Sequence, residues 1–218
     1  MFSGTEVKVC GITRRGDALD ALELGADLLG FNFYPESPRC VSLDLAKELA
    51  ADLPESRKVA VVVLPDPSLL ETLRGHGFGI VQIHYAQAAT DIERLEQWST
   101  LVGPEKLWLA PRRAPGESLD ERALSLADTW LWDAFKADAF GGTGRTSDWA
   151  GFKSMRERFP DKNWVLAGGL GPDNIRDAVT ETGTTRIDLN SGIEISPGMK
   201  DRNRLERVKS EIGALRAD

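Results

Sequence analysis

Short apolar runs alternate with amphipathic segments along the chain, and the alternation repeats eight times. Runs such as Lys58–Leu64 are apolar on both faces and rich in β-branched residues, as buried parallel strands are. Segments such as Arg15–Leu24 carry apolar residues at helical spacing and stop at a glycine. The predicted strands are Val7–Ile12, Leu28–Tyr34, Lys58–Leu64, Ile80–Tyr85, Leu107–Arg112, Thr129–Phe135, Trp164–Leu170 and Arg186–Glu194. The predicted helices are Arg15–Leu24, Leu43–Leu53, Ser68–Arg74, Asp91–Trp98, Asp120–Ala127, Trp149–Phe159, Gly171–Thr182 and Lys200–Ile212.

Strands that alternate with helices predict a parallel sheet with right-handed crossovers. Eight near-equal units predict that the sheet closes into a (β/α)₈ barrel, with residues 1–218 as a single domain. The alternative is an open doubly wound sheet. It is less favoured because the units are so even and because no GxGxxG motif follows the first strand.

Composition narrows the function classes. The 218 residues are 41 % apolar and 28 % charged, which is typical of a globular protein, and the formal net charge is −7. An acidic chain without a block of Lys and Arg argues against nucleic acid and against anionic membrane surfaces as partners. A small anionic ligand stays possible, because it needs only a local pocket.

The two cysteines, Cys10 and Cys40, are too few for a disulfide framework and are interpreted as free thiols in a reducing compartment. The first ten residues lack the basic and apolar regions of a signal peptide. No apolar run reaches the roughly 18 residues needed to span a bilayer. The sequence therefore predicts a cytoplasmic protein.

Three neighbouring loops at the predicted strand ends are rich in Gly, Ser and Thr. Glycine lets backbone N–H groups approach an anion closely, and phosphate sites of such barrels favour the loops after strands seven and eight. Simple tight turns are the alternative explanation for these glycines. We expect a phosphate held by residues drawn from Gly141, Gly142, Gly144, Gly168, Gly169, Asn190, Ser191 and Gly192.

A lone thiol and a lone carboxylate, Cys10 and Asp133, fall on predicted strands one and six. A cysteine can act as a base when its pKa falls toward neutrality, and a carboxylic acid can donate a proton when its pKa rises. The pair fits an isomerase that moves protons without a cofactor. The alternatives are a small buried hydrophobic residue for Cys10 and a helix cap or ion-pair partner for Asp133.

Other polar residues at the strand ends have secondary roles in this prediction. The guanidinium fork of Arg39 could bind a substrate carboxylate, or it could be a solvated loop residue. His84 is one of two histidines, so no multi-histidine metal site is expected, and a polar strand-end or hydrogen-bonding role is favoured. No inward-facing lysine is evident, which argues against a Schiff-base lyase.

Seven motifs occur in order from end to end: KVCGIT, DALDALELGADLLGFNFYPESPRCVS, VQIH, WDAF, GGTGRTSDW, LAGGLGPDNI and DLNSGIEISPGMKD. Together they resemble the phosphoribosylanthranilate isomerases of tryptophan biosynthesis, over nearly the whole chain. The resemblance implies a (β/α)₈ barrel that catalyses the Amadori rearrangement of N-(5-phosphoribosyl)anthranilate. It implies a small phosphorylated substrate and no metal or organic cofactor. A monomer or homodimer is expected.

The resemblance also implies residue roles. Cys10 corresponds to the general base and Asp133 to the general acid. Arg39 is expected near the anthranilate carboxylate, Asp188 beside the anthranilate amine or ring, and His84 in the substrate site. The glycine-rich loops are expected to hold the phosphate.

Two departures from the family pattern bear on the site. Tyr85 replaces a glycine at the end of strand four, where it could narrow the pocket, and Asn190 replaces a serine beside the phosphate. Other functions stay open: another metal-free phosphosugar isomerase or epimerase, a lyase, or a homologue that only binds phosphorylated ligands. A related barrel of histidine synthesis uses paired aspartates, and Cys10 argues against it.

Overall fold

The barrel predicted from the alternation is observed in a computed structural model, which describes residue 2 and residues 4–114, 117–133 and 148–215. Eight parallel strands follow one another around a closed barrel, and β8 pairs with β1 to complete it. The strands are β1 (Glu6–Val9), β2 (Leu28–Asn32), β3 (Lys58–Val63), β4 (Ile80–Ala86), β5 (Leu107–Arg112), β6 (Thr129–Trp132), β7 (Asn163–Leu166) and β8 (Arg186–Leu189).

Helices on the outside cover the barrel, as right-handed crossovers require. Within the described residues they are α1 (Arg15–Leu24), α2 (Leu43–Leu49), α3 (Pro67–Gly75), α4 (Ile92–Val102), α5 (Trp149–Arg158), α6 (Ile175–Thr182) and α7 (Arg202–Ala214). None of these helices is both long and apolar enough to cross a membrane. Side chains cap two of the helices: Ser42 accepts a hydrogen bond from the N–H of Leu45, and Asp148 accepts one from the N–H of Gly151.

Side chains that alternate along each strand build two apolar layers. One layer fills the barrel interior and includes Val61, Trp108 and Leu131. The other lies between strands and helices and includes Tyr85 and Trp130. Residues two apart on a strand therefore share a direction, which decides which strand-end side chains can reach the barrel mouth.

Several predicted boundaries are wrong for local reasons. Strand two stops at Asn32, not at Tyr34, because the Asn32 side chain accepts a hydrogen bond from the N–H of Tyr34 at 2.8 Å and turns the chain. Helix two ends at Leu49 rather than at Leu53, close to Pro54, which disfavours helical geometry in the residue before it.

The predicted fifth helix, Asp120–Ala127, is a 3₁₀ segment over Glu121–Leu126. The strand β6 begins at Thr129, so few residues after Asp120 remain in which an α-helix could form. The predicted eighth strand, Arg186–Glu194, ends at Leu189, and a 3₁₀ turn over Ser191–Ile193 follows it. A small antiparallel hairpin then forms from β9 (Glu194–Ser196) and β10 (Met199–Lys200).

Candidate active site

One cleft lies at the barrel mouth, where the strands run into the loops that follow them. The cleft brings together most of the residues predicted to form the site. Those that line it are Cys10, Arg39, His84, Asp133, Gly168, Gly169, Asp188, Asn190 and Ser191. Gly141, Gly142 and Gly144 lie outside the described residues.

Cys10 follows the last residue of β1, and it is buried with its side chain in the interior layer of the barrel. Asp133 follows the last residue of β6 and is partly exposed at the same mouth. Burial raises the pKa of the Cys10 thiol above its ordinary value, and the ammonium of Lys8 opposes that shift. The thiol therefore depends on nearby charge if it is to ionise.

Lys8 corrects the prediction that no lysine faces inward. It lies within β1, two residues before Cys10, and is only 1 % exposed. Its Nζ donates a hydrogen bond to Asp188 Oδ1 at 2.9 Å. The alternation in Val7–Cys10 carried this signal, because a strand that points Cys10 inward must point Lys8 the same way.

His84 lies two residues before the end of β4, with Gln82 on the same side of the strand. The Gln82 amide nitrogen lies 2.8 Å from His84 Nε2. Burial, with the charge of Lys8, lowers the pKa of His84 from 6.5 to about 4. The ring is therefore neutral at neutral pH, and an amide N–H donated to Nε2 leaves the ring proton on Nδ1.

Arg39 reaches the cleft from the loop after β2, but its guanidinium is not a solvated loop group. It is 7 % exposed, and its Nε and Nη2 atoms donate to the carboxylate of Glu194 on β9. Lys200 Nζ donates to the same carboxylate and to Asn190 Oδ1, at 2.7 and 2.8 Å. The hairpin thus fixes both Arg39 and Asn190, and its charged residues were missed because strand eight was expected to run through Glu194.

The loops after β7 and β8 contact each other through backbone. Gly169 has a φ of 64°, a conformation that favours glycine, and its carbonyl accepts a hydrogen bond from the Asn174 side chain. A Cβ atom at Gly192 would lie 2.1 Å from the carbonyl oxygen of Leu170, so only glycine fits there. Gly192 therefore shapes the neighbouring loop.

The Ser191 hydroxyl is buried and has no hydrogen-bond partner among the described residues, although Ser191 lines the cleft. A buried polar group without a partner is costly, so a ligand oxygen at this position would satisfy it. No group of three His, Cys, Asp or Glu side chains in the described part of the chain is arranged to hold a metal ion.

Tyr85 does not narrow the cleft, contrary to the expectation from its position at a strand end. It is 1 % exposed and packs in the layer outside the barrel, where its ring meets that of Trp98 edge-on at 6.1 Å between centroids. Its neighbour His84 takes the inward position, because successive residues of a strand point to opposite faces.

The chain is similar to known proteins over almost its whole length. The family described as "N-(5'phosphoribosyl)anthranilate (PRA) isomerase" matches residues 7–210. An N-(5'-phosphoribosyl)anthranilate isomerase from Chlorobaculum parvum is 35 % identical over 219 residues, which cover 97 % of this chain and 95 % of the relative.

Solved structures agree with this match. A phosphoribosyl anthranilate isomerase from Thermus thermophilus superposes with a TM-score of 0.81 and 28 % identity, over 97 % of this chain and 100 % of its own. A second phosphoribosyl anthranilate isomerase, in complex with reduced 1-(o-carboxyphenylamino)-1-deoxyribulose 5-phosphate, gives a TM-score of 0.75 and 30 % identity. That alignment covers 96 % of this chain and 99 % of the other.

Proposed function

The chain belongs to the N-(5'-phosphoribosyl)anthranilate isomerase family, enzymes of tryptophan biosynthesis, and we propose that Cys10 is its general base and Asp133 its general acid. The observation that carries this proposal is that the thiol and the carboxylate directly follow β1 and β6 of the same barrel and line one cleft. The substrate is N-(5-phosphoribosyl)anthranilate, and the product is 1-(2-carboxyphenylamino)-1-deoxyribulose 5-phosphate.

The reaction moves hydrogen without any change in composition. The Asp133 carboxylic acid protonates the furanose ring oxygen, the bond from that oxygen to C1 breaks, and the anilino nitrogen supplies electrons to form a Schiff base. The Cys10 thiolate removes the proton from C2, which gives an enolamine. The enolamine becomes the ketone when C1 gains a proton and the 2-hydroxyl loses one.

The phosphate of the substrate binds at the loops after β7 and β8 in this proposal. The unpartnered Ser191 hydroxyl supports it, as do the glycines at 168 and 169, which let the backbone approach an anion. Asn190 contributes its amide hydrogens, because its Oδ1 already accepts a hydrogen bond from Lys200.

The anthranilate half binds at charged and polar side chains of the same cleft in this proposal. The Nη1 side of Arg39 faces the carboxylate of the substrate, since Nε and Nη2 are held by Glu194. Asp188 and the neutral His84 complete the pocket around the amine and the ring. We retain the cytoplasmic location and the monomer or homodimer as predictions; sedimentation of the purified chain tests the oligomeric state.

The test is a fluorescence assay with freshly made phosphoribosylanthranilate and the purified protein. Cys10→Ala and Asp133→Asn should each lower kcat by at least about 100-fold, the lower end of a general acid or base contribution. Cys40→Ala and Asp173→Asn are matched controls, because they change an exposed thiol and an exposed carboxylate. Turnover close to wild type in either site variant would remove its assigned role, and a folded wild type without turnover would favour another phosphosugar.

A further inference from the structure

A lysine occupies the barrel interior beside the proposed base. Lys8 and Asp188 are register partners across β1 and β8, and their side chains form a buried ion pair at 2.9 Å. The layer around them is otherwise filled by residues such as Val59 and Val165. A buried ion pair gains little stability over an apolar pair of similar size, so its presence calls for another reason.

The same ammonium group lies against Cys10. A Cβ atom placed on Gly30 of β2 would lie 3.0 Å from Lys8 Nζ and 3.1 Å from Cys10 Sγ, so both atoms pack over that glycine. The Lys8 ammonium interacts with the thiol as well as with Asp188. An ammonium has three hydrogens to donate, so one group can serve both partners.

We propose that Lys8 is a positioning residue for the isomerisation: held in place by Asp188, its ammonium stabilises the thiolate form of Cys10 and directs it toward the substrate. This role rests on the proposed function of Cys10 as the base. Asp188 then has two opposing effects on Cys10. Its carboxylate anchors Lys8, which favours the thiolate, and it also places a negative charge near the sulfur, which opposes the thiolate.

The charges that face Cys10 come from three strands. Lys8 on β1 and Lys200 on β10 favour the thiolate, whereas Asp188 on β8 opposes it. Asp133 lines the cleft from the end of β6, and His84 on β4 is neutral at neutral pH. Burial alone would lower the pKa of Lys8, but Asp188 and Cys10 hold that pKa above its ordinary value of 10.5. Lys8 therefore stays charged.

The experiment reads the thiolate directly, by its ultraviolet absorbance during a pH titration of the purified protein. All variants carry Cys40→Ser, so that Cys10 is the sole cysteine, and Cys10→Ser supplies the blank. Lys8→Met should raise the pKa of Cys10 by about one unit or more, the usual effect of losing an opposite charge nearby. Lys8→Arg should restore most of the wild-type value, and Lys106→Met, which removes an exposed lysine, should change nothing.

A second variant shifts the titration the other way. Asp188→Asn removes the negative charge and should lower the pKa of Cys10 if Lys8 stays charged. A purely structural Lys8–Asp188 pair predicts no shift in either folded variant, and that result would overturn the proposal. If Lys8→Met does not fold, as judged by near-ultraviolet circular dichroism, Asp188→Asn still decides between the two, because only the proposal expects its titration to shift.

Turnover separates this proposal from the assignment of the base. In Lys8→Met, kcat should fall while KM changes little, and the acid limb of the pH–rate profile should move to higher pH with the thiol. Unreduced turnover in Cys10→Ala would reject Cys10 as the base even if the titration shifts as expected. Unshifted titration with an inactive Cys10→Ala would reject Lys8 alone.

Discussion

Glu194 holds the guanidinium of Arg39 through both of its carboxylate oxygens. Nε of Arg39 lies 2.9 and 3.2 Å from the two oxygens, and Nη2 lies 2.5 Å from Oε2. Both side chains are buried, and Lys200 adds a second cation to the same carboxylate. One negative charge thus holds two positive charges in place beside the cleft.

Removing that charge should destabilise the protein. Glu194→Gln leaves Arg39 and Lys200 buried without a counterion, and loss of one partner of a buried ion pair costs about 3 kcal/mol or more. Urea unfolding measures the loss, and Asp173→Asn is the control, because the Asp173–Arg207 pair is exposed and worth little. Equal stability of the Glu194 and Asp173 variants would show that the network is not a structural support.

Lowering the pH should cause a similar loss of stability in the wild-type protein. Burial alone would raise the pKa of Glu194, but hydrogen bonds from Arg39 and Lys200 hold it below 4.5. Its contribution is therefore complete above pH 4.5 and is lost as the pH falls through the lower folded value. Glu194→Gln should flatten the acid side of the stability curve, and an unaltered curve would contradict this.

His84 should also make the free energy of unfolding fall as the pH falls, over the range between its unfolded and folded pKa values. Its folded pKa is about 4, against 6.5 in the unfolded chain, so the unfolded chain takes up the proton first as the pH falls. The free energy of unfolding should drop by about 3 kcal/mol between those two values, at 1.36 kcal/mol per pKa unit. Urea unfolding at several pH values measures the slope, and His84→Asn should reduce it.

Substitution of Gly30 should impair catalysis, because Lys8 and Cys10 pack over this glycine. In Gly30→Ala the new methyl group meets both Lys8 and Cys10, which are buried and have little room to move. Displacement of the base should lower kcat by about 10- to 100-fold, because small errors in position are costly in catalysis. Gly16→Ala is the control: an added Cβ at that helical position has no neighbour within 4 Å, and it should raise stability slightly. Equal activity of both variants would refute the packing argument.

The barrel and most of the candidate site could be predicted because strand periodicity is a local signal. Hydrophobic alternation placed the eight strands, and strand ends of a parallel barrel meet at one mouth. The hairpin of β9 and β10 escaped prediction because its strands are only three and two residues long. Its partners are also distant in sequence: Glu194 bonds Arg39 across 155 positions.

Lys8 and Tyr85 show a second limit of prediction from the sequence, which concerns the direction in which a strand residue points. Each lies on a strand that the sequence predicts correctly, but its side chain points the other way from the prediction. Strict alternation from Cys10 places Lys8 inside the barrel, and alternation from His84 places Tyr85 outside it. The strand β1 has only four residues, so it offers few repeats from which to read that direction.

Tyr85 should therefore affect stability and not substrate recognition. It is fully enclosed between the barrel and α4 against Trp98, and Tyr85→Ala should cost about 3 kcal/mol in the free energy of unfolding, as truncation of buried aromatic residues does. KM for phosphoribosylanthranilate should be unchanged in the folded variant, because the tyrosine does not line the cleft. Tyr85→Phe keeps the ring and is the matched control, so it should retain both properties. A lower KM in Tyr85→Ala, with stability preserved, would mean instead that the tyrosine restricts entry of the substrate.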